Sequence, residues 1–221
     1  MPLYICPTPI GNLKDVTLRT LEVLKNVDYI LAEDTRITKK LLNHYSINTP
    51  LKSFHSYSNE SVVKKIIVNL KEGKSIALVS DAGTPCVSDP GYVLVKACID
   101  NNIPYEVLPG ANAILPALIL SGFPPDRFLF YGFLKRSESK IRQTFESIKT
   151  FDFPVIFFES PYRLIKVLNI LKEVLPERQI AVVREISKIH ESVVRGEVSF
   201  VLEYFKENPP KGEIVLVING K

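Results

Sequence analysis

The sequence predicts an α/β protein made of two domains. Short apolar runs alternate along the chain with stretches whose apolar residues recur every three or four positions. This alternation is typical of strands connected by helices in a mostly parallel sheet. Residues 121–126 (SGFPPD) interrupt the pattern with glycine and paired prolines, and such segments end regular structure. We therefore predict an N-terminal domain over residues 1–120, a linker over 121–126 and a C-terminal domain over 127–221.

The sequence of the first half predicts five strands, each followed by a helix. Its apolar runs are continuous rather than alternating, which fits strands buried on both faces of a parallel sheet. Asp15 or Thr17 is expected to cap the first helix, and Gly73 to end the third. The predicted strands are residues 3–8, 29–32, 51–54, 75–79 and 104–108; the predicted helices are residues 18–27, 35–45, 62–70, 92–99 and 109–120.

The second half is richer in strands, which favours a mixed sheet. Ser137 is placed to cap one helix, and Pro176 to stop the next. Two α/β domains of similar size leave a cleft between them, and such clefts are preferred ligand sites, so we expect the ligand there. The predicted strands are residues 128–131, 155–158, 180–183 and 214–218; the predicted helices are residues 137–149, 164–175 and 198–205.

Composition narrows the function classes. The 221 residues include 28 Lys and Arg against 24 Asp and Glu, and the resulting net charge of +4 permits an anionic partner without requiring one. The three cysteines show no metal-binding spacing, so we expect no metal. We find no secretory signal and no apolar run of about 18 residues, so we expect a cytoplasmic protein that does not enter the membrane.

The most informative loop is residues 80–91 (SDAGTPCVSDPG), between a predicted strand and a predicted helix. Ligands of open α/β sheets bind at this edge, where strands end. Glycine permits close backbone approach and proline fixes φ, so the loop is expected to be rigid. An elaborate turn without function is the alternative interpretation. Asp89 is predicted to cap the helix that follows.

Four further loops of unusual composition lie at predicted strand ends: residues 6–12, 33–36, 109–113 and 158–163. None has the Gly-x-Gly-x-x-Gly or the Gly-Lys-Ser/Thr pattern, which disfavours ordinary Rossmann dehydrogenases and P-loop NTPases. Asp34 is either a helix cap or an acid that faces substrate beside Arg36. His55 lies in a polar loop, residues 53–60, from which it can reach a substrate hydroxyl.

Charged residues also concentrate in four segments. Residues 184–188 and 211–213 flank predicted strands and are either cleft residues or ion pairs at the rim. The cations Lys39 and Lys40 form one cluster. A second cluster comprises Lys135, Arg136, Lys140, Arg142 and Lys149. Each cluster is either a nucleic-acid contact or a solvated helix face, and charge alone leaves both interpretations open.

Five motifs together carry a resemblance that spans nearly the whole chain. They are residues 8–13 (TPIGNL), 32–36 (AEDTR), 78–85 (LVSDAGTP), 88–91 (SDPG) and 184–188 (REISK). With them the chain resembles the tetrapyrrole-methylase-like S-adenosylmethionine-dependent methyltransferases. Within that family it is similar to the branch that methylates the ribose 2′-hydroxyl of a cytidine in small-subunit (16S) ribosomal RNA.

The resemblance implies two α/β domains, a homodimer, S-adenosylmethionine in the cleft and ribosomal RNA as substrate. The base that accepts the hydroxyl proton is expected among Asp34, Glu185 and Lys188, and no metal is required. Substrate contacts are expected from Arg36, His55 and Arg163, with the two arginines holding phosphate. The implied donor-binding residues are Pro9, Ser80, Asp81, Val87, Asn112, Ala113, Phe158, Ile186 and Gly212.

Two departures from the family pattern, and two rival functions, accompany this resemblance. Family members often carry Pro-His-Arg where this chain has Pro161-Tyr162-Arg163, which argues against a histidine role there but not against Arg163. The loop at residues 109–113 lacks the more frequent serine, although a backbone contact would survive that change. The rivals are a tetrapyrrole-type methyltransferase of the same fold and a non-catalytic ribosome-binding module.

Overall fold

The computed structural model describes residues 2–55 and 60–221, and the chain divides into two compact units. The first unit is Met1–Asn112 and the second is Ala113–Lys221. Each unit has its own five-stranded sheet. The two α/β domains expected from the sequence are therefore present, one with a parallel and one with a mixed sheet. The expected ligand cleft stays a prediction.

The sheet of the first unit is parallel throughout its described strands, in the order β3-β2-β4-β1-β5. A short 3₁₀ turn, Leu13–Asp15, precedes the first helix, whose N-cap is Thr17, one of the two predicted candidates. The strands are β1 (Leu3–Ile5), β2 (Tyr29–Ala32), β3 (Leu51–Ser53), β4 (Ile76–Val79) and β5 (Tyr105–Val107). The helices are α1 (Leu18–Asn26), α2 (Thr35–His44), α3 (Glu60–Lys71) and α4 (Tyr92–Asp100).

Right-handed crossovers place these four helices on two faces of the sheet. The chain moves in one direction from β1 to β3 and in the other from β3 to β5, so α1 and α2 share one face and α3 and α4 share the other. Successive strand residues alternate between the faces: Ile30 packs with α1 and α2, whereas Leu31 packs with α3 and α4. Burial on both faces explains the continuous apolar runs in the sequence.

The sheet of the second unit is mixed, with the order β6-β7-β10-β8-β9. Among its described strands, β6 and β7 pair in parallel, and the other three pairs are antiparallel. The strands are β6 (Leu129–Phe133), β7 (Val155–Glu159), β8 (Gln179–Arg184), β9 (Ser192–Glu197) and β10 (Ile214–Ile218). The helices are α5 (Ile114–Ser121), α6 (Glu138–Ser147), α7 (Leu164–Val174) and α8 (Val198–Glu207).

The core of the second unit lies between one sheet face and the helices α6, α7 and α8. Phe145, Phe157 and Phe205 are buried there among aliphatic residues of the same layer. Helix α5 packs instead against β8, β9 and β10. Arg178 closes one end of this unit, because its guanidinium donates to the backbone oxygens of Lys149, Phe151 and Asn219.

Three expectations differ from the structure. Helix α5 begins at Ile114 rather than at residue 109 and belongs to the second unit, so the division lies at Asn112 rather than after residue 120. Strand β9 is absent from the predicted elements, because this edge strand is polar and half-exposed. Gly91, not Asp89, is the N-cap of α4, and no side chain caps that helix. No helix in the described part of the chain has the length and hydropathy of a transmembrane segment.

Candidate functional site

In the first unit, the carboxyl ends of parallel strands meet at one sheet edge, and the loops that follow β1 and β4 are joined there. Thr8 and Gly83 exchange two backbone hydrogen bonds of 2.9 Å. The Thr8 hydroxyl also donates to the Ser80 carbonyl oxygen at 3.0 Å, and both residues are buried. Gly83 has a φ of +81°, which favours glycine. The two predicted ligand loops therefore form one rigid unit.

The loops after β5 and β2 join the same assembly. The Thr84 hydroxyl donates to the Ala111 carbonyl oxygen at 3.2 Å. Gly110 packs against Pro7 so closely that an added Cβ would lie 2.7 Å from the proline Cβ. The backbone N–H of Asp34 donates to Asp81 Oδ1 at 2.9 Å. Four strand-end loops are thus fastened to one another, which is the arrangement expected of a preorganised ligand site.

Asp34 fulfils the capping role at the start of α2. Its Oδ1 accepts a hydrogen bond of 2.8 Å from the Arg36 backbone N–H, and the Arg36 guanidinium contacts both carboxylate oxygens. These hydrogen bonds from Arg36 lower the pKa of Asp34 to about 2. Arg36 thus occupies both carboxylate oxygens of Asp34.

Acidic residues dominate this sheet edge. Burial raises the pKa of Asp89 to about 6, against a hydrogen bond from the Ser80 hydroxyl, and the negative charge of Asp81 adds to the increase. Burial also raises the pKa of Glu33, and the charges of Asp81 and Asp89 act in the same direction. Nearby in the same loop, two non-glycine residues hold left-handed φ values, +73° at Cys86 and +63° at Ser88. Such strain in non-glycine residues clusters at functional sites.

In the second unit, the loop after β8 meets the loop before β10. Lys188 Nζ lies 2.9 Å from Glu185 Oε1 and 2.9 Å from Glu213 Oε2. The Glu213 backbone N–H donates to Glu185 Oε1 at 2.8 Å. Gly212 has a φ of +79°, and a Cβ added there would overlap the Glu185 carboxylate. Glu185 and Ser187 themselves hold positive φ values of +53° and +66°, so this loop is strained as well.

Charges within this cluster stabilise one another. Burial opposes the ionised form of Glu185, but hydrogen bonds from the Glu213 N–H and from Lys188 outweigh it and lower the pKa. Burial likewise opposes the charge of Lys188, but its two carboxylate partners outweigh it and raise the pKa. At neutral pH the pair is therefore a carboxylate and an ammonium.

Comparison with known proteins places the chain in a family. The model of the Tetrapyrrole (Corrin/Porphyrin) Methylases matches residues 2–201. The chain belongs to this family. It is therefore a methyltransferase, and S-adenosylmethionine is its methyl donor.

Curated relatives resemble the whole chain. "Ribosomal RNA small subunit methyltransferase I" of Bacillus subtilis is 49% identical over 99% of this chain and 75% of its own length. The protein of the same name from Thermotoga maritima is 45% identical over 99% of this chain and 98% of its own length.

Two solved structures share the fold at lower identity. Diphthine synthase has a TM-score of 0.79 at 16% identity and covers 100% of this chain and 90% of its own. Cobalt precorrin-4 methyltransferase has a TM-score of 0.72 at 16% identity, with 99% and 94% covered. At these identities the likeness concerns the fold alone.

The residues of the first unit's sheet edge fit the methyl donor of the family. S-adenosylmethionine carries a positively charged sulfonium, and the edge with Glu33, Asp81 and Asp89 has the complementary charge. In the same loop Ala82 and Thr84 are half-buried, whereas Gly83 is buried. In the described residues no group of three or more His, Cys, Asp or Glu side chains has the arrangement of a metal site.

Predicted donor residues occupy several environments. Ser80 and Ile186 are buried, Val87 is exposed, and Phe158 packs its ring against Phe130 at a centroid distance of 4.9 Å. The remaining members of the set are Pro9, Asp81, Asn112, Ala113 and Gly212, all of which lie in loops or at the N-cap of α5. Their roles stay proposals.

The predicted substrate residues differ in their exposure to solvent. Arg36 is 88% exposed but tied to Asp34, and His55 is exposed. Residues 56–59 of the polar loop lie outside the described residues. Arg163 is mostly covered, since its guanidinium donates to the backbone oxygens of Leu134 and Lys135.

Three residues that organise these loops are missing from the predicted site residues. Thr8 joins two loops, and Glu213 holds Lys188. Glu159 forms an ion pair with Arg163 and accepts a hydrogen bond from the Ser160 N–H. Glu213 follows Gly212 directly in the sequence, and this adjacency was the available signal. The hydrogen bond from Thr8 to Ser80 joins residues 72 positions apart in the chain and carries no local signal.

Proposed function

We propose that this chain transfers a methyl group from S-adenosylmethionine to the ribose 2′-hydroxyl of a cytidine in small-subunit ribosomal RNA. The observation that carries the proposal is the relationship to the Thermotoga maritima protein named ribosomal RNA small subunit methyltransferase I, at 45% identity over 99% of this chain. Such identity over both full lengths supports a shared substrate class. The finer choice of a cytidine 2′-hydroxyl rests on the motif at residues 80–91.

The donor supplies an activated methyl group, so the protein's task is mainly to position the hydroxyl and exclude water. The rigid loops of the first unit support such positioning, because four of them are fastened together. A preorganised site of this kind does not spend binding energy on ordering itself.

A carboxylate near the hydroxyl would accept its proton as the new bond forms. Of the three predicted bases, we assign this role to Glu185. The hydrogen bonds described for Glu185 all use Oε1, and its Oε2 is the atom we assign to the hydroxyl. Lys188 is protonated and holds Glu185 in place, while Asp34 serves α2 as its N-cap.

Two assignments follow from the same proposal. Ribosomal RNA as substrate makes the cytoplasm the expected compartment. The family resemblance makes a homodimer the expected assembly, and the molar mass in solution, measured by light scattering, tests it: the mass of a monomer at assay concentration would contradict it.

Incubation with isotopically labelled donor tests the proposal. Small subunits from cells that lack this methylation are the substrate, and the RNA fragments are analysed by mass spectrometry. Label on the ribose of one cytidine is expected. Label on a base would contradict the ribose assignment, whereas transfer to a tetrapyrrole precursor without transfer to RNA would favour the small-molecule rival. Donor binding without any transfer would favour the non-catalytic rival.

A further inference from the structure

Two loops of the second unit, after β6 and after β7, leave the sheet side by side. The strands pair in parallel, with Phe133 opposite Phe158 near their carboxyl ends. Arg163 then joins the loops: its Nη2 donates to the Lys135 carbonyl oxygen at 2.8 Å, and Nη1 and Nη2 both donate to that of Leu134 at 3.2 Å. Arg163 itself is held by the buried carboxylate of Glu159, with Nε 3.5 Å from Oε1.

The joined loops expose cations that no acidic side chain of the described residues neutralises. Lys135, Arg136 and Lys140 are exposed, and none of them forms an ion pair within that part of the chain. The one acid within residues 135–140, Glu138, is paired with Lys166 of α7 at 2.7 Å. Two cations nearby differ: Arg142 of α6 pairs with Glu173, and Arg127, which precedes β6, pairs with Asp152. The segment therefore keeps its positive charge.

The loop after β7 carries an exposed aromatic ring, and Arg163 joins this loop to the loop that carries Lys135 and Arg136. Tyr162 is 96% exposed and directly precedes Arg163, whose guanidinium reaches the Lys135 backbone. An exposed aromatic ring next to unpaired cations suits an unpaired nucleotide, because the ring stacks on the base while the cations contact phosphates. Acidic protein surfaces, in contrast, require no such stacking platform.

We propose that Lys135, Arg136, Lys140 and Tyr162 form a docking surface for single-stranded ribosomal RNA, and that Arg163 positions it. The proposal rests on the proposed function and adds where the substrate is held. It also revises the role of Arg163. The sequence predicts that this guanidinium holds phosphate; in the proposal it holds the loop of Lys135 and Arg136, and the side chains of that loop contact the phosphates.

The test compares two triple variants with equal loss of charge. Lys135→Ala/Arg136→Ala/Lys140→Ala removes the proposed surface, and Lys25→Ala/Lys65→Ala/Lys172→Ala removes three exposed lysines elsewhere. Binding to an isolated ribosomal RNA fragment is measured between about 50 and 200 mM salt. Each lost phosphate contact lowers the salt slope by about 0.7, so the first variant is expected to lose about 2 in slope and about tenfold in affinity. The control keeps the wild-type slope.

Tyr162 and Arg163 have their own readouts. Tyr162→Ala is expected to weaken binding about tenfold, and Tyr162→Phe to retain it, since stacking needs the ring and not the hydroxyl. Arg163→Lys is expected to weaken binding in the wild-type background but not in the Lys135/Arg136/Lys140 variant, because a positioning residue acts through those cations. Donor affinity is expected to be the same in all variants.

The outcomes separate this surface from the proposed function. Equal RNA affinity and equal salt slope in the two triple variants would overturn the proposed docking surface. It would also be overturned if the first variant lost binding to subunits but kept binding to isolated RNA, because that result indicates a contact with ribosomal protein. Additive effects of Arg163→Lys would overturn its positioning role. Failure of the wild type to methylate subunits would contradict the proposed function, while the binding comparison would still decide the surface.

Discussion

Gly212→Ala tests whether the Glu185 carboxylate depends on the absence of a side chain at position 212. Gly212 has a φ of +79°, and an alanine there would place its Cβ on the Glu185 carboxylate. The carboxylate would have to leave its hydrogen bonds with the Glu213 N–H and Lys188 Nζ, which measure 2.8 and 2.9 Å.

The expected cost has two parts. A positive φ costs alanine about 1 kcal/mol relative to glycine. Two displaced hydrogen bonds in a partly exposed cluster cost about 1 kcal/mol each, giving a total of about 3 kcal/mol. Gly122→Ala is the matched control, since Gly122 has a φ of +75° and nothing lies within 4 Å of the position that the alanine Cβ would take. The expected cost at position 122 is the φ part alone, about 1 kcal/mol.

The assay is urea unfolding of both variants, together with methyl transfer at saturating donor. A Glu185→Ala background completes a double-mutant cycle, in which Gly212→Ala is expected to cost only the φ part. Methyl transfer is expected to fall in Gly212→Ala and to stay at the wild-type level in Gly122→Ala. Equal stability losses in the two single variants, or unchanged transfer in Gly212→Ala, would refute the reasoning.

Three further predictions follow from the described contacts. The pKa of Asp89 is raised to about 6 in the folded chain, against an ordinary 3.8, so the folded state binds the proton more tightly than the unfolded state does. The free energy of unfolding therefore falls as pH rises from about 4 to 6. Asp89→Asn is expected to remove this fall, and parallel pH profiles of the two proteins in urea unfolding would contradict the prediction. Arg178→Met removes a hydrogen-bond donor from three backbone oxygens, of which that of Phe151 keeps the Lys221 N–H. It is expected to destabilise the chain by about 2–4 kcal/mol and to leave the affinity for S-adenosylmethionine unchanged; a loss below about 0.5 kcal/mol would contradict the role of Arg178. Glu185→Gln is expected to lower kcat about 100-fold. Asp34→Asn keeps the N-cap acceptor and is expected to lower kcat less than about threefold. The reverse order in single-turnover assays would reassign the base to Asp34.

Sequence patterns predict most of this fold because each unit buries its strands under helices. The runs at β2 and β10 are apolar throughout, and their predicted bounds agree with the structure. Strand β9 is not predicted by the same reasoning. It lies at a sheet edge beside β8, and its residues are half-exposed, so no apolar run marks it.

Local pattern also misplaces the start of α5. Residues 109–113 have a composition that suits a helix start, but Gly110 is packed against Pro7 and Thr84 binds the Ala111 carbonyl oxygen, so these contacts hold the segment as a loop. The helix begins only at Ile114 and packs with the second unit. The true boundary therefore depends on contacts that are distant in sequence.

The candidate site shows the same division between local and distant information. Strand-end position identified the loops after β1, β2, β4 and β5, and the structure joins them. The cluster of Lys188, Glu185 and Glu213 arises from the register of β8 and β10, in which Arg184 lies opposite Ile214. The pairing of Lys188 with Glu185 is local, three residues apart in one motif. The pairing with Glu213 depends on the register of two strands that are separated in the chain by a further strand and a helix, so the sequence offers both charged segments but not their contact.

Alkaline digestion of labelled RNA tests the central claim most directly. Alkali cleaves RNA through attack of the free 2′-hydroxyl on the adjacent phosphate, and a 2′-O-methyl group blocks that attack. After transfer from labelled donor to undermethylated small subunits, we predict that the label is recovered in an alkali-resistant dinucleotide that begins with cytidine. Label recovered in a mononucleotide would place the methyl group on a base and contradict the account.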